Sequence, residues 1–307
     1  MSQAKPGHQR HQGNRLVGWV NRGGLTVLAF AAPAVILFAT FSWWPILRGL
    51  MMAFQKINFV AAPQWVGLDN FQRVLADPLL GRALVNTLEF TGISILIAFP
   101  LPIILAVTMN ELRKARQSAA VLIYLPVIIP PVASILLWKT FFNPSETGLF
   151  NTVLGWFGIP PQPWLQSPVT AMPSIVLEAV WAGIGTSTII YMAALRSIRT
   201  ELYEAAEIDG ASILRRVWHV TLPELRGVMV IMGLLLVIGA VQVFTEPFIF
   251  TSGGPVNATT TLVLLLYRYA FIFGDFGKAT ALGVMIALGL SVITVVYLIA
   301  TRRFSKE

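Results

Sequence analysis

The sequence contains no cysteine. That excludes a disulfide framework, a thiolate metal site and a cysteine nucleophile. Histidine is nearly as scarce: His8 and His11 lie in the N-terminal tail and His219 stands alone, too few for a histidine metal cluster. Charge is thin as well. Only 12% of the 307 residues are charged, while 56% are hydrophobic and mean hydropathy is +0.72. A soluble protein carries about 25% charged residues, so the deficit points to lipid as the solvent. The net charge of +8 is spread in clusters that flank apolar runs, not in one basic stripe, which argues against a nucleic-acid partner.

A phosphate-binding loop is missing too. The nearest candidate, GDFGKAT, has Gly277-Lys278, but Ala279 follows where Ser or Thr is required and Ile272 stands where the first Gly belongs. No HExxH motif and no nucleophile elbow occur. The chain is therefore expected not to be an enzyme and to bind no cofactor of its own.

What the sequence does have is length in its apolar runs. A bilayer core of about 30 Å takes roughly 20 apolar residues in a helix. Six segments meet that standard: residues 25–47, 90–109, 119–138, 172–195, 228–250 and 279–300. The first four hold prolines inside or near an end (Pro33, Pro45, Pro100, Pro102, Pro126, Pro130, Pro131 and Pro173), read as kinks or ends that neighbouring helices can satisfy. Assigning the loops alternately, fifteen Lys and Arg residues fall with the two termini and seven fall on or near the other side. The positive-inside rule then puts both termini in the cytoplasm. The expected organisation is a tail over 1–24, a six-span membrane domain over 25–300 and a second tail over 301–307. Of the outer loops, 55–82 holds an amphipathic stretch expected to lie along the membrane surface. The other, 143–171, has no Lys or Arg and sets tryptophans at an interface.

Between the fourth and fifth runs the polarity changes. ELYEAAEIDGASILRRVWHVTLPEL, residues 201–225, carries Glu201, Glu204, Glu207 and Asp209 and then Arg215-Arg216. Nothing from Glu201 to Asp209 breaks a helix, and Gly210 can take the left-handed conformation that ends one. Ser212 is expected to cap a second helix reaching about Val220, with Pro223 as its stop. Two short helices joined at a glycine make a compact knob; a solvated amphipathic loop on the headgroups is the alternative.

Glu204-Ala205-Ala206, then Gly210 after three residues, then Val220, Leu222 and Pro223, resembles the signature loop of the membrane subunits of ATP-binding-cassette importers. Further likeness lies in WVGLDNFQRVLADP, in Tyr124-Leu125-Pro126, Pro130-Pro131, Trp138, Phe142-Asn143-Pro144 and Gly148, and in TSGGPVNATTTLVLLLYRYAF. These resemble the binding-protein-dependent sugar and glycerol-3-phosphate permeases over roughly residues 25–300; residues 1–22 lie outside the likeness.

The resemblance implies an all-α membrane protein of six transmembrane helices, with a cytoplasmic coupling-helix loop (196–226) between spans four and five. It implies a permease subunit in a bacterial cytoplasmic (inner) membrane, passing a sugar, oligosaccharide or glycerol-phosphate-like solute. The implied partners are a second permease (a paralogue, forming a heterodimer), two ATPase subunits that hold ATP and Mg, and an extracytoplasmic solute-binding protein. Glu204, Ala205, Ala206, Asp209, Gly210, Leu222 and Pro223 are the expected ATPase-coupling residues. Intramembrane ionisable groups are functional candidates by default. With the family's cavity in spans four and five, they give Glu178, Trp181, Gly183, Thr186, Ala240, Gln242, Val243 and Glu246 as substrate-binding candidates. Glu178 and Glu246 facing the partner permease is the competing assignment, and Trp181 serving only in packing is another. Gln242 and Glu246, one helical turn apart, are expected to share a face. Two readings from other classes stay open: a stand-alone ion-coupled transporter and a membrane scaffold that docks a cytoplasmic protein.

Overall fold

The computed structural model describes residues 24–57, 62–111 and 116–302; the expectations for residues 1–23, 113–114 and 303–307 lie outside them. The chain divides into two units, Met1–Met52 and Ala53–Glu307. In the first, α1 (Gly24–Phe38) runs through a π turn, Ala39–Trp43, into α2 (Trp44–Met52). The amide of Trp44 donates to the carbonyl of Ala39, five residues back. Pro45 follows at once. A proline cannot donate to residue i−4 and its ring collides with that carbonyl, so widening the turn by one residue keeps the helix continuous. Leu25–Met52 is 28 residues of high hydropathy, long enough to cross a membrane.

The second unit opens with two short strands, β1 (Gln55–Lys56) and β2 (Gln64–Trp65), paired antiparallel with Gln55 opposite Trp65. Then come α3 (Asp69–Leu75), α4 (Pro78–Ala98) and α5 (Pro100–Glu111). The second span begins at Pro78, well before residue 90. Asp77 caps it by accepting from the Leu79 amide at 2.8 Å, and Pro78 occupies the first turn. Hydropathy hides this start because the early turns hold Asn86 and Thr87, both buried. Asn86 donates to the carbonyls of Asn257 and Thr260 at 2.7 and 2.9 Å.

The third span is not one helix. α6 (Arg116–Ile128) and α7 (Pro131–Phe141) meet at a 97° bend. Pro130, at φ −54 and ψ 133, is extended, and two consecutive prolines remove two helix donors. After α7 come α8 (Leu149–Gly155) and then α9 (Ala171–Leu195). In the connecting loop Asn151 donates to the carbonyls of Ser145 and Gln162, both at 3.1 Å, and accepts from the Trp164 indole at 2.8 Å. Trp164 is thus tied into the loop, whereas Trp156 is 77% exposed. α9 packs against α4, α5, α6, α7 and α12 and is the most buried of the long helices.

Next are α10 (Thr200–Ile208), α11 (Ile213–Arg216), a π turn Val217–Thr221, and α12 (Leu222–Val241). Two expectations fail here. Ser212 sits at the N-cap position but its side chain makes no capping bond. Pro223 stops nothing: the helix is continuous over Ile213–Val241. The reason matches Pro45, since the Leu222 amide reaches back five residues to Val217 just before the proline.

The fifth span ends earlier than expected. α12 stops at Val241, and α13 (Thr245–Thr251) is a separate short helix. Pro247 cannot donate to the carbonyl of Val243, which instead accepts from the Thr261 hydroxyl at 2.9 Å. α14 (Leu262–Tyr267), a π turn Arg268–Ile272 and α15 (Phe276–Thr301) complete the unit. A polar clasp joins the starts of α4 and α15. Lys278 pairs with Asp77 at 2.6 Å, the Tyr269 hydroxyl donates to Asp77 at 2.7 Å, and Arg73 pairs with Asp275. Burial pushes the Asp77 carboxyl up, but Lys278, the Leu79 amide and Tyr269 together hold it below its ordinary 3.8.

Candidate functional site

A cavity of about 490 Å3 opens between α4, α5, α9, α12 and the 242–246 segment. Of the expected substrate residues, Gly183, Ala240, Gln242, Val243 and Glu246 form its wall. Gln242 and Glu246 arrive there by different means than a shared helix face: Gln242 ends α12 and Glu246 lies in the first turn of α13.

The other three expected residues stand elsewhere. Glu178 is 2% exposed, and its Oε1 accepts from the Ser134 hydroxyl at 2.6 Å. Trp181 packs on Trp138, ring centroids 5.3 Å apart. Thr186 is exposed and is not part of the wall. Helical geometry explains the split. α9 faces the cavity along Val180, Gly183, Ile184, Ser187 and Tyr191, a stripe at three- and four-residue spacing. Positions 178, 181 and 186 fall off it.

Sequence reasoning missed Ser187 and Tyr191, which lie four and eight residues beyond Gly183 and could have been found from that spacing. It also missed Ser94, contributed by α4, where no local signal marks it. Aromatic and aliphatic side chains, among them Phe90, Phe99 and Phe244, supply most of the wall. Among the described residues no Lys, Arg or His lines it, and Glu246 is its one acidic side chain.

A second hollow, an open groove of about 720 Å3, lies at the far end of α7, between Lys139, Asn143, Gln166 and the Gly254-Pro255 turn, with Phe142 and Phe250 also lining it.

The polar segment is a helical knob. α10 ends at Gly210, φ +71. There the Ala211 amide donates to Ala206 at 2.9 Å and the Gly210 amide to Glu207 at 3.0 Å, the closing pattern of a glycine-terminated helix. Glu207 pairs with Arg216 across the turn, and the Tyr203 and Thr221 hydroxyls are 3.0 Å apart. Glu204, Ala205, Asp209 and Pro223 are exposed, whereas Ala206 and Leu222 are half-buried. Ile208, Leu214 and Trp218 stand 87%, 74% and 67% exposed, far more apolar surface than a solvated helix pair presents.

The family described as binding-protein-dependent transport system inner membrane component matches residues 98–306. The arabinooligosaccharides transport system permease of Bacillus subtilis is 31% identical over 280 residues, covering 91% of this chain and 89% of that protein. The lactose transport system permease of Rhizobium radiobacter is 34% identical over 280 residues, covering 89% and 93%. A chain of a bacterial alginate ABC transporter, solved in complex with an alginate pentasaccharide-bound periplasmic protein, superposes with a TM-score of 0.85 at 28% identity, covering 95% of this chain and 99% of that one. The chain belongs to the family of binding-protein-dependent transport system inner membrane components, and so is a permease subunit.

Proposed function

We propose that this permease subunit passes a neutral oligosaccharide through the cavity between α4, α5, α9 and α12, driven by ATP hydrolysis on a separate subunit. The observation that carries the reading is the chemistry of the cavity wall. Aromatic and aliphatic faces suit the C–H faces of a sugar ring, and Gln242, Ser94, Ser187 and Thr245 suit its hydroxyls. The one lining carboxyl, Glu246, disfavours an anion, and among the described residues no lining cation offsets it. Phosphorylated and uronate solutes are therefore disfavoured in this chain's half of the path; the relatives named for arabinooligosaccharides and lactose fit that choice, whereas the similar alginate transporter takes an acidic polysaccharide.

The chain works beside a second permease, with a binding protein delivering solute and an ATPase pair holding ATP and Mg. The tails 1–24 and 301–307 and the 196–226 segment are assigned to the cytoplasm, with residues 25–300 in the inner membrane. In that segment Glu204, Ala205, Ala206, Asp209 and Gly210 shape the knob that docks into the ATPase, and Leu222-Pro223 join it to α12. Continuity of the helix from Ile213 to Val241 supports this role: a push on the knob reaches the cavity residue Ala240 along one rod. Membership of the family sets aside the ion-coupled alternative.

Uptake by the reconstituted complex tests the solute class. Arabinotriose, maltose or lactose should enter, and glycerol-3-phosphate and a trisaccharide of uronic acids should not. Equal entry of the anions contradicts the reading. Gln242→Ala should raise the KM for the transported sugar about tenfold, the worth of one lost buried hydrogen bond.

A further inference from the structure

We propose that Glu178 is a positioning residue: through its hydrogen bond to Ser134 it fixes α7 against α9, and so holds shut the apolar partition between the outer groove and the membrane cavity. The proposal rests on the permease reading above, with the groove on the outer side.

Three observations meet at this point. First, the 97° break at Pro130-Pro131 leaves α7 without a continuous helix to set its direction. Tertiary contacts must do so. Ser134 lies in the first turn after the break and is 1% exposed; Glu178 is 2% exposed, and the two are bonded at 2.6 Å. One turn further along both helices Trp138 meets Trp181, so a polar contact and an aromatic contact succeed each other along one seam. At its other end α7 is tied to α13, where Lys139 donates to the carbonyl of Ile249 at 3.3 Å.

Second, the two hollows share one wall. Phe142 and Phe250, which line the groove, belong to the same buried cluster as Val180, Ala240 and Val243, which face the cavity. Ile135 and Trp138 of α7 belong to the same cluster. Moving α7 opens the layer that separates groove from cavity.

Third, a carboxyl at this position is costly unless it does something directional. Burying a polar group in an apolar layer is unfavourable, and a leucine of similar size would pack there without that penalty. A buried polar pair defines one arrangement of its two helices where apolar packing alone allows several. Glu178 is therefore kept for its bond to Ser134, and it is neither a solute contact nor a group reserved for the second permease.

The absence of cysteine from this chain provides the test. A single Ser187→Cys reporter lines the cavity. In the complete complex, in right-side-out vesicles without nucleotide, its modification by the membrane-impermeant thiol reagent MTSET added outside measures how often the partition opens. Ser134→Ala and Glu178→Leu should raise the rate about tenfold, as loss of one buried hydrogen bond shifts a local opening equilibrium. Glu178→Gln keeps an acceptor for Ser134 and should stay at the parent rate. Should Glu178→Leu fail to assemble, Ser134→Ala carries the test, since it removes one hydroxyl.

Parent rates in Ser134→Ala and Glu178→Leu overturn the proposal. So does a Glu178→Gln rate as high as that of Glu178→Leu, which assigns the effect to charge. A changed KM for arabinotriose in Glu178→Gln, with labelling unchanged throughout, also overturns it and makes Glu178 a solute contact. A complex of the natural sequence, with Ser187 in place, that takes up no sugar refutes the solute assignment instead, and the labelling rates still judge the latch.

Discussion

Gly210 is the residue on which the helical knob turns. At φ +71 it occupies the left-handed region, and a Cβ there would meet no atom within 4 Å beyond its chain neighbours. A substitution therefore acts mainly through backbone conformation, at about 1–2 kcal/mol. Gly210→Val should leave the protein in the membrane, yet lower the sugar moved per ATP hydrolysed; an unchanged ratio removes the glycine from the coupling path. Glu204→Lys, on the exposed face of α10, should give the same phenotype. Asp77 offers a pH-dependent case. Its carboxyl is held below 3.8 in the folded protein, so its contribution to stability is present above that pH and fades as pH falls through the folded value. Between pH 5 and pH 3 the melting temperature should fall further in the parent than in Asp77→Asn. An equal fall in both dismisses the Asp77–Lys278 contact as a source of acid sensitivity.

At the scale of elements the recurring theme is how helices meet prolines. Pro45 and Pro223 each follow a π turn and leave the helix continuous, whereas Pro130-Pro131 break it and Pro247 lies in the first turn of a new one. The sequence made the six apolar runs legible because hydropathy reports helix interiors well. It could not separate a π turn from a stop, since both start from the same missing amide and differ only in whether the helix widens or finds another donor. Thr261 is such a donor: its hydroxyl meets the Val243 carbonyl and also caps α14 at the Leu264 amide. Thr261→Val loses both bonds, at about 1–3 kcal/mol for the orphaned carbonyl and about 1 kcal/mol for the cap. A clear fall in melting temperature of the purified complex should follow, and a melting temperature equal to the parent's contradicts this account of the break. The candidate site was half legible for a related reason. Gly183, Ala240, Gln242, Val243 and Glu246 reached the cavity wall, but intramembrane polarity alone could not tell the cavity stripe of α9 from its packed side, where Glu178 and Trp181 lie.

At the scale of the whole molecule, exposure carries the argument. Only 6% of the most apolar window of α15 is buried. Faces so apolar need lipid and a second permease around them. The knob exposes Ile208, Leu214 and Trp218, and the cavity wall carries hydroxyls and an amide but, among the described residues, no cation. All three features suit a subunit that works only in an assembly and draws its energy from elsewhere. The most direct test is arabinotriose uptake by proteoliposomes that hold this chain, the second permease and the ATPase pair, with binding protein outside. Uptake is predicted to require ATP and Mg on the ATPase side together with the binding protein, and to be lost in Gly210→Val while ATP hydrolysis continues. Uptake driven by an ion gradient, with neither ATP nor binding protein, would contradict the account.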